Sequence, residues 1–451
     1  MRYSFTGSTR TLGRQTRVCR RLLAWIVGAT ATLTLAAPPG FAAPDQPSAA
    51  TSGPSCPTAR CTTITMTGDM LLHPGLWQQA RDDAAAAGQP GYTFVPILEG
   101  QRRYLQHSDL AICHQETPVG TPDGPFAGYP SFNVPPQITS AAKAVGYRAC
   151  TTASNHTIDW GMAGVVRTLD TLAAAGLSHT GSYRSEAESH GILLLSSPTA
   201  TVAVIAGTYG HNGQIPEFPW EVDELDPARM IDKARRAIAA GADIVIGVMH
   251  AGDEYASEPN QQQREVSHAL VDSGLFTMVY GHHSHSVLPI EKYRGAWIAY
   301  GLGNFQFIMP SPRHDWFEGA VALLRWEGGG GPVLELLPTV VDRRTFTVEL
   351  AFGRDHSQAT NLIQARSQVL ASDASLAAHW QQFLQDSAAM YLRTAMPAGA
   401  SRQRLLSGAS ARFWRRYARS HPEELAYLLN VARCDSHRVA LTGVLEDLMP
   451  R

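Results

Sequence analysis

Apolar positions in the middle of the chain fall into short continuous runs bounded by glycine, and each run is followed by chemistry-bearing side chains. Asp243-Ile-Val-Ile-Gly-Val-Met249 precedes His250-Ala-Gly-Asp-Glu-Tyr255, Leu275-Phe-Thr-Met-Val-Tyr280 precedes Gly281-His-His-Ser-His285, and Ala296-Trp-Ile-Ala-Tyr300 precedes Gly301-Leu-Gly-Asn304-Phe305. Runs of this length without alternation predict strands covered on both faces. Ligands in open α/β sheets collect beyond the carboxyl ends of such strands. A single histidine there reads as a hydrogen-bonded core residue; four at strand ends within one segment point to a site.

The same pattern recurs earlier. Thr62-Thr-Ile-Thr-Met-Thr67 alternates, predicts a strand, and leads to Gly68-Asp69-Met-Leu-Leu-His73, with a sharp turn expected at Gly68. A helix is expected over 76–87, ending near Gly88. The strand Asp109–Cys113 leads to His114-Gln-Glu116, and the strand Tyr147–Thr151 leads to Ser154-Asn155-His156-Thr-Ile-Asp159. Helices are expected over 138–145, 162–175 and 227–240, each followed by glycine, the residue that best accepts the left-handed cap. Strands over 192–195 and 201–205 join around Pro198, and Gly328 to Gly331 marks a hairpin between 319–326 and 333–337. The Gly/Pro-rich segment from Gly120 to Pro136, with Phe126, Tyr129 and Phe132, reads as a substrate-facing loop, against the alternative of a surface excursion with packed aromatics. From 358 to 449 the pattern is helical and carries no ligand-type cluster.

Length and composition set the frame. The chain has 451 residues, 44% of them hydrophobic and 17% charged, which places it with globular proteins and calls for a main domain plus an extension. Its first 42 residues differ. Six arginines precede an apolar stretch from Leu22 to Ala37, and Pro38-Pro-Gly-Phe-Ala-Ala-Pro44 offers a cleavage region, the layout of a secretory signal. Arg20-Arg21 is compatible with twin-arginine export, and the competing reading is an uncleaved membrane anchor. Residues 43–60 read as a flexible linker, 61–345 as the catalytic body and 346–451 as a helical extension. Removing the six leader arginines takes the net charge from −2 to −8, and no basic patch remains to suit nucleic acid. Export makes disulfides expected. Cys113 and Cys150 are paired if their strands are neighbours, Cys56 and Cys61 form a second candidate pair, and Cys434 is left over.

Asp69, His73, Glu116, Asn155, His250, His283 and His285 bring carboxylate, amide and imidazole donors from separate strand ends. Mixed oxygen and imidazole donors suit Zn, Mn or Fe, and so many donors suit two divalent ions with a bridging carboxylate. His156, next to Asn155, is placed to protonate a leaving oxygen.

These blocks, Gly68-Asp-Met-Leu-Leu-His73, Glu116-Thr-Pro-Val, Ser154-Asn-His-Thr-Ile-Asp159, His250-Ala-Gly-Asp-Glu-Tyr255, Gly281-His-His-Ser-His285 and Tyr300-Gly-Leu-Gly-Asn-Phe305, resemble in order those of the CapA-type capsule (poly-γ-glutamate) synthesis proteins, which are similar to calcineurin-like metallophosphoesterases. The resemblance runs from about Thr62 to Asp342. It implies a four-layer α/β/β/α sandwich with the metal centre at one edge, and metal ligands at Asp69, Glu116, Asn155, His250, His283 and His285. It implies the catalytic role for His156 and an outer position for His282. The chain departs from the broader class in its first block, Asp-x-x-x-His in place of Asp-x-His, and in Glu116 where that class has an aspartate. His114 stands where the family usually has asparagine, as a helper or a cap.

Two functions follow. One is a secreted metal-dependent hydrolase acting on a phosphoester or an envelope polymer. The other is a non-catalytic accessory of exopolymer synthesis or export, working within that complex and touching the membrane only if the leader is retained.

Overall fold

The computed structural model describes residues 61–306, 318–328, 331–342, 344–351, 353–368 and 370. The expected leader, linker, Cys56, Cys434 and most of the helical extension lie outside the described residues.

The first half alternates strand and helix. β1 (Thr62–Met70) is followed by α1 (Pro74–Ala86), α2 (Val95–Leu98) and α3 (Arg102–His107), then β2 (Leu110–Gln115), α4 (Gln137–Val145), β3 (Ala149–Thr151), α5 (Gly161–Ala174) and β4 (Ser178–Thr180). After the single-turn α6 (Glu186–Ser189) the chain forms β5 (Leu193–Ser196), β6 (Thr201–Thr208), α7 (Pro227–Ala239), β7 (Ile244–Ala251), α8 (Gln261–Asp272) and β8 (Met278–His283). Strands dominate the rest: β9 (Ile290–Tyr293), β10 (Ala296–Ala299), β11 (Asn304–Gln306), β12 (Glu318–Trp326), β13 (Pro332–Val341) and β14 (Val348–Leu350), closed by α9 (Gly353–Gln368).

Two mixed sheets result. One has the order β14-β13-β12-β1-β2-β3-β4, with β11 also paired to β1; the other has the order β5-β6-β7-β8-β10-β9. In the second, β6, β7, β8 and β10 are parallel, and the antiparallel β5 and β9 form its edges. Its central strands show why the sequence runs are apolar without alternation. On β7, Ile244, Ile246 and Val248 join Ile64, Met66 and Ile112 of the first sheet in one core, while Val245 and Met249 pack with Met230 and Ala234 of α7 and Leu270 of α8. The period-2 geometry of a strand sends successive residues to opposite faces, and here both faces are dry. With α2 to α5 on the first sheet and α7 and α8 on the second, the layers are α/β/β/α.

Local signals fix the helices. Asp226 caps α7 by accepting from the backbone N of Ala228 at 2.8 Å, Pro227 opens it and Gly241 follows its end with φ 95°. α8 begins in a capping box between Asn260 and Gln263. The pattern predicts neither α8 nor β4, β9 and β11. Gly68 is not a turn: β1 continues through it to Met70, with an irregular register against β2 between Met66 and Asp69. Beyond the expected boundary at 345, β14 extends the first sheet, and α9 is tied to the body by Arg366 Nη1 donating to Val287 O at 2.6 Å. Cys113 and Cys150 are register partners on β2 and β3, and they form the expected disulfide with a Cα separation of 4.4 Å. Cys61 is also disulfide-bonded. No helix among the described residues is long and apolar enough to cross a membrane.

Candidate metal centre

The ligand-type residues lie at or just beyond the ends of strands, so the backbone ladder itself positions them. Asp69 is next to last on β1, His114 lies on β2, His250 is next to last on β7, and His282 and His283 end β8. The two sheets meet where β1 and β8 face one another. The segment from Tyr300 to Asn304 bridges that junction and requires two glycines. A Cβ on Gly281 would lie 2.0 Å from Tyr300 O, and one on Gly68 would lie 2.1 Å from Gly303 O. Gly68 is thus needed for close backbone approach.

Two buried groups of three result: Asp69, His114 and His250 in one, Glu116, His283 and His285 in the other, the donor atoms of each lying within 4.8 Å of one another. The first is internally bonded. Asp69 Oδ1 lies 2.5 Å from His282 Nδ1, and Oδ2 lies 3.0 Å from His285 Nδ1 and accepts from the backbone N of His283 at 3.2 Å. His114 Nε2 lies 2.9 Å from His250 Nδ1. The second is poorly bonded. Neither oxygen of Glu116 and neither ring nitrogen of His283 has a hydrogen-bond partner among the described residues, although the two residues are 1% and 0% exposed. His285 Nε2 stands 3.8 Å from Glu116 Oε1. His283 and His285 have φ of 78° and 51°, a left-handed backbone that costs a non-glycine residue about 1–2 kcal/mol.

The electrostatics follow the partners. Burial would raise the Asp69 carboxyl, but His282 and His285 hold it far below its ordinary value. Burial pushes Glu116 up to about 7, against the pull of His285. Burial lowers His285, and the charges of Glu116 and Asp69 outweigh it, raising the ring to about 10. His114 and His250 are pushed well below the usual imidazole range by burial, which keeps them neutral, the form that ligates metal.

Of the residues expected in the site, Asp69, Glu116, His250, His283 and His285 fall within the two groups. Asn155 sits beside them with both ends of its amide engaged: Oδ1 lies 2.8 Å from His250 Nε2, and Nδ2 donates to Asn212 Oδ1 at 3.1 Å. His73 is in neither group; its ring meets the edge of Phe132 at 5.2 Å. His282, expected outside, bonds Asp69 and stacks on His114 at 4.0 Å.

His156 is held by Asp159, whose Oδ2 lies 2.8 Å from His156 Nδ1 and also accepts from the backbone N of Phe132 at 2.7 Å. Asp159 Oδ1 accepts from Gln214 Nε2 at 3.1 Å. Asp159 thereby ties two loops to the site. In the first, Phe132 is buried between His73 and His156, while Phe126 packs on Trp77 and Tyr92, so the loop both lines the site and carries packed aromatics. The second, after β6, is absent from the sequence expectations. It places Tyr209 4.6 Å from the His283 ring and brings in Asn212 and Gln214. Its signal was present, since Tyr209-Gly-His-Asn212 follows an apolar strand as the other site blocks do.

The chain is 25% identical over 287 residues to the capsule biosynthesis protein CapA of Bacillus anthracis, covering 61% of this chain and 66% of that protein. It is 29% identical over 214 residues to a probable polyglutamine synthesis accessory protein of Mycobacterium tuberculosis, covering 44% of this chain and 55% of the relative. The chain thus spans less than two thirds of the length of these relatives. Among solved structures, the calcineurin-like phosphoesterase YfkN of Bacillus subtilis aligns at 16% identity and a TM-score of 0.35, covering 71% of this chain and 99% of that one. The layers described above rest on this chain's own sheets. The pattern of the bacterial capsule synthesis protein PGA_cap family matches residues 63–309, more than half of the chain, and the chain belongs to that family.

Proposed function

We propose that this protein is a metal-dependent hydrolase of the cell envelope, cleaving a phosphoester or an envelope polymer in capsule or poly-γ-glutamate metabolism. The observation that carries this reading is the Glu116 carboxylate, 1% exposed, with both oxygens lacking a hydrogen-bond partner among the described residues, beside the equally unpartnered ring of His283. A lone buried carboxylate is penalised by several kcal/mol, on the order of the effective desolvation cost of one ion. A cation at Glu116, His283 and His285 offsets that cost, and Asp69 and His250 offer donors to a second.

Two divalent ions held there would supply Lewis acidity toward an ester or amide oxygen and a nucleophile available at neutral pH. The chain's own residues supply the rest. Asp159 fixes Nδ1 of His156, which leaves Nε2 as the nitrogen that passes a proton to a leaving oxygen. Phe132 packs edge-on to the His156 ring and excludes water from that side. Tyr209 braces the His283 ring.

Work outside the cytoplasm is part of the same proposal. It is supported by the order of arginines, apolar core and small residues in the first 42 positions, and by the Cys113–Cys150 disulfide, since such bonds persist in oxidising compartments. The amino terminus of the exported protein should begin near Ala43 or Pro44; a start at Met1 favours the anchored form.

The accessory reading takes its support from the mycobacterial relative, a probable polyglutamine synthesis accessory protein. One screen separates the two. The full chain, loaded in turn with Mn, Zn or Fe, is assayed on phosphomonoesters, phosphodiesters and poly-γ-glutamate. The hydrolase reading expects turnover with at least one metal and substrate, abolished by Glu116→Gln. A metal-replete chain inert on every substrate returns the protein to the accessory class.

A further inference from the structure

Large apolar side chains gather at the surface of the loops that lead to His156. Among the described residues the exposed ones are Tyr129, Trp160, Ile215, Phe218, Ile238 and Val333, and the first four lie on the three loops that Asp159 ties together. Trp160, 41% exposed, directly follows Asp159, the residue that holds His156. Tyr129 packs at 6.4 Å on Phe132, which lies edge-on to the His156 ring. Ile215 follows Gln214, whose amide donates to Asp159. Phe218 stacks on Trp220 at 4.8 Å, in a turn closed by Glu221 Oε2 accepting from the backbone N of Glu217 at 2.8 Å. This rim is thus built into the loops that position His156. Exposed apolar groups clustered beside a polar cleft mark a ligand surface.

The charge of the same loops selects the ligand. The segments after β1 (71–73), β2 (116–136), β3 (152–160), β6 (209–226), β7 (252–260) and β8 (284–289) contain no lysine and no arginine. They carry acids at the surface. Asp123, Glu217 and Glu224 are exposed, and Glu254 is half-buried and close enough to act on the His156 ring. Cations on adjoining elements are engaged: Arg167 of α5 donates to Val119 O at 2.6 Å and to Asn133 Oδ1 at 3.0 Å, and Arg184 after β4 pairs with Glu188 and Asp170. A polyanion or an anionic bilayer would meet carboxylates in these segments and no lysine or arginine to pair with. A positively charged group is attracted twice, by the carboxylates and by the faces of exposed aromatic rings, tryptophan above all.

We propose that the metal centre takes a phosphoester whose alcohol carries an ammonium group, and that Trp160 and Glu217 of the rim receive that group. The proposal rests on the metal-centre reading above and narrows its substrate to one alcohol chemistry. It gives Trp160 and Glu217 a part in specificity and none in breaking the bond.

Binding of non-hydrolysable phosphonates to the metal-loaded full chain tests this without calling on turnover. Three ligands share a phosphonate and a three-carbon spacer and end in trimethylammonium, tert-butyl or carboxylate. Calorimetry should find the trimethylammonium ligand bound about 10-fold tighter than its tert-butyl isostere, the size of a partly desolvated cation–π contact, and the carboxylate ligand weakest. The preference should shrink as salt rises. Trp160→Leu keeps apolar surface and removes the indole face, while Glu217→Gln removes one charge from an exposed side chain. Each should cut the preference to about 3-fold or less and leave tert-butyl binding unchanged. Equal binding of the trimethylammonium and tert-butyl ligands, tightest binding of the carboxylate, or a preference that survives both substitutions overturns the proposal and leaves the metal-centre reading standing. A chain that holds metal yet binds none of the three overturns the proposal together with the phosphoester reading. A chain that takes up no divalent metal overturns the metal centre and the proposal with it.

Discussion

The two buried groups of three are built from the same kinds of donor and held in opposite ways. Asp69, His114 and His250 lean on one another and on Thr151, Asn155 and His282, so their polar atoms are paired within the protein. Glu116 and His283 have no such partners among the described residues; strand ends and a left-handed backbone at His283 and His285 hold that group in place. The first group can persist without metal at little electrostatic cost. The second holds a carboxylate that accepts no hydrogen bond among the described residues and has only the His285 ring, 3.8 Å away, to offset its burial. One centre thus combines a site preorganised by hydrogen bonds with a site preorganised by backbone strain.

That contrast is easiest to break by removing one charge from each group in metal-free protein. Asp69→Asn strips the partner from His282 and His285, and breaking a buried pair in this way should cost about 3–5 kcal/mol. Glu116→Gln removes a charge that accepts no hydrogen bond among the described residues and faces the His285 ring at 3.8 Å, so metal-free stability should fall by less than in Asp69→Asn. Denaturant unfolding of the chelator-treated proteins checks both; equal losses would erase the distinction.

Catalysis sharpens the comparison, because His156 belongs to neither group. His156→Ala should keep wild-type metal content and lose roughly 10²–10⁴-fold in turnover on esters with poor leaving groups. On a nitrophenyl ester, whose leaving group needs no proton, the loss should shrink. Steady-state rates on the two substrate types, with metal analysis of the same samples, decide this.

How much of this was legible in the sequence depended on how local each determinant is. The apolar runs ending at His250 and before Gly281 were readable because both faces of β7 and β8 are covered, which leaves continuous hydrophobicity as a trace. The α7 boundaries were readable from Pro227 and Gly241, which act through their own backbone. β11, three residues paired in parallel with β1, has no local signature, and Gly68 looked like a turn because its constraint comes from Gly303, over two hundred residues away. α8 opens on Gln261-Gln-Gln263, and a weak apolar stripe behind them masks the box that starts it, Asn260 with Gln263. In the site, residue types at strand ends named most members of both groups. The pairing of His114 with His250 and the engagement of Asn155 by Asn212 join separate strands and loops, and no spacing encodes them.

The disulfide tests whether bracing outside the groups matters to them. Cys113–Cys150 closes a loop of 37 residues directly beneath Glu116 and Asn155, and replacing both cysteines by serine should cost about 2–4 kcal/mol. Thermal unfolding without reductant, compared with wild type, measures it. The smallest effect is a control remote from both groups. Burial would raise Glu188, but hydrogen bonds from Arg184 outweigh it and hold the carboxyl below its ordinary range. Its contribution is therefore present above the unfolded carboxylate range and is lost as pH falls through the lowered folded value. Glu188→Gln should cost no more than about 1 kcal/mol at neutral pH, as a partly exposed pair, and nothing once that titration is complete. Its metal content should match wild type.

The central claim is that both groups bind divalent metal, and elemental analysis of the full chain after loading and gel filtration tests it most directly. The account predicts two ions per wild-type chain, and one or none in Glu116→Gln, because two cations without the carboxylate beside them repel in a dry site. A wild-type chain that retains less than one ion, or a Glu116→Gln chain that retains two, would contradict it.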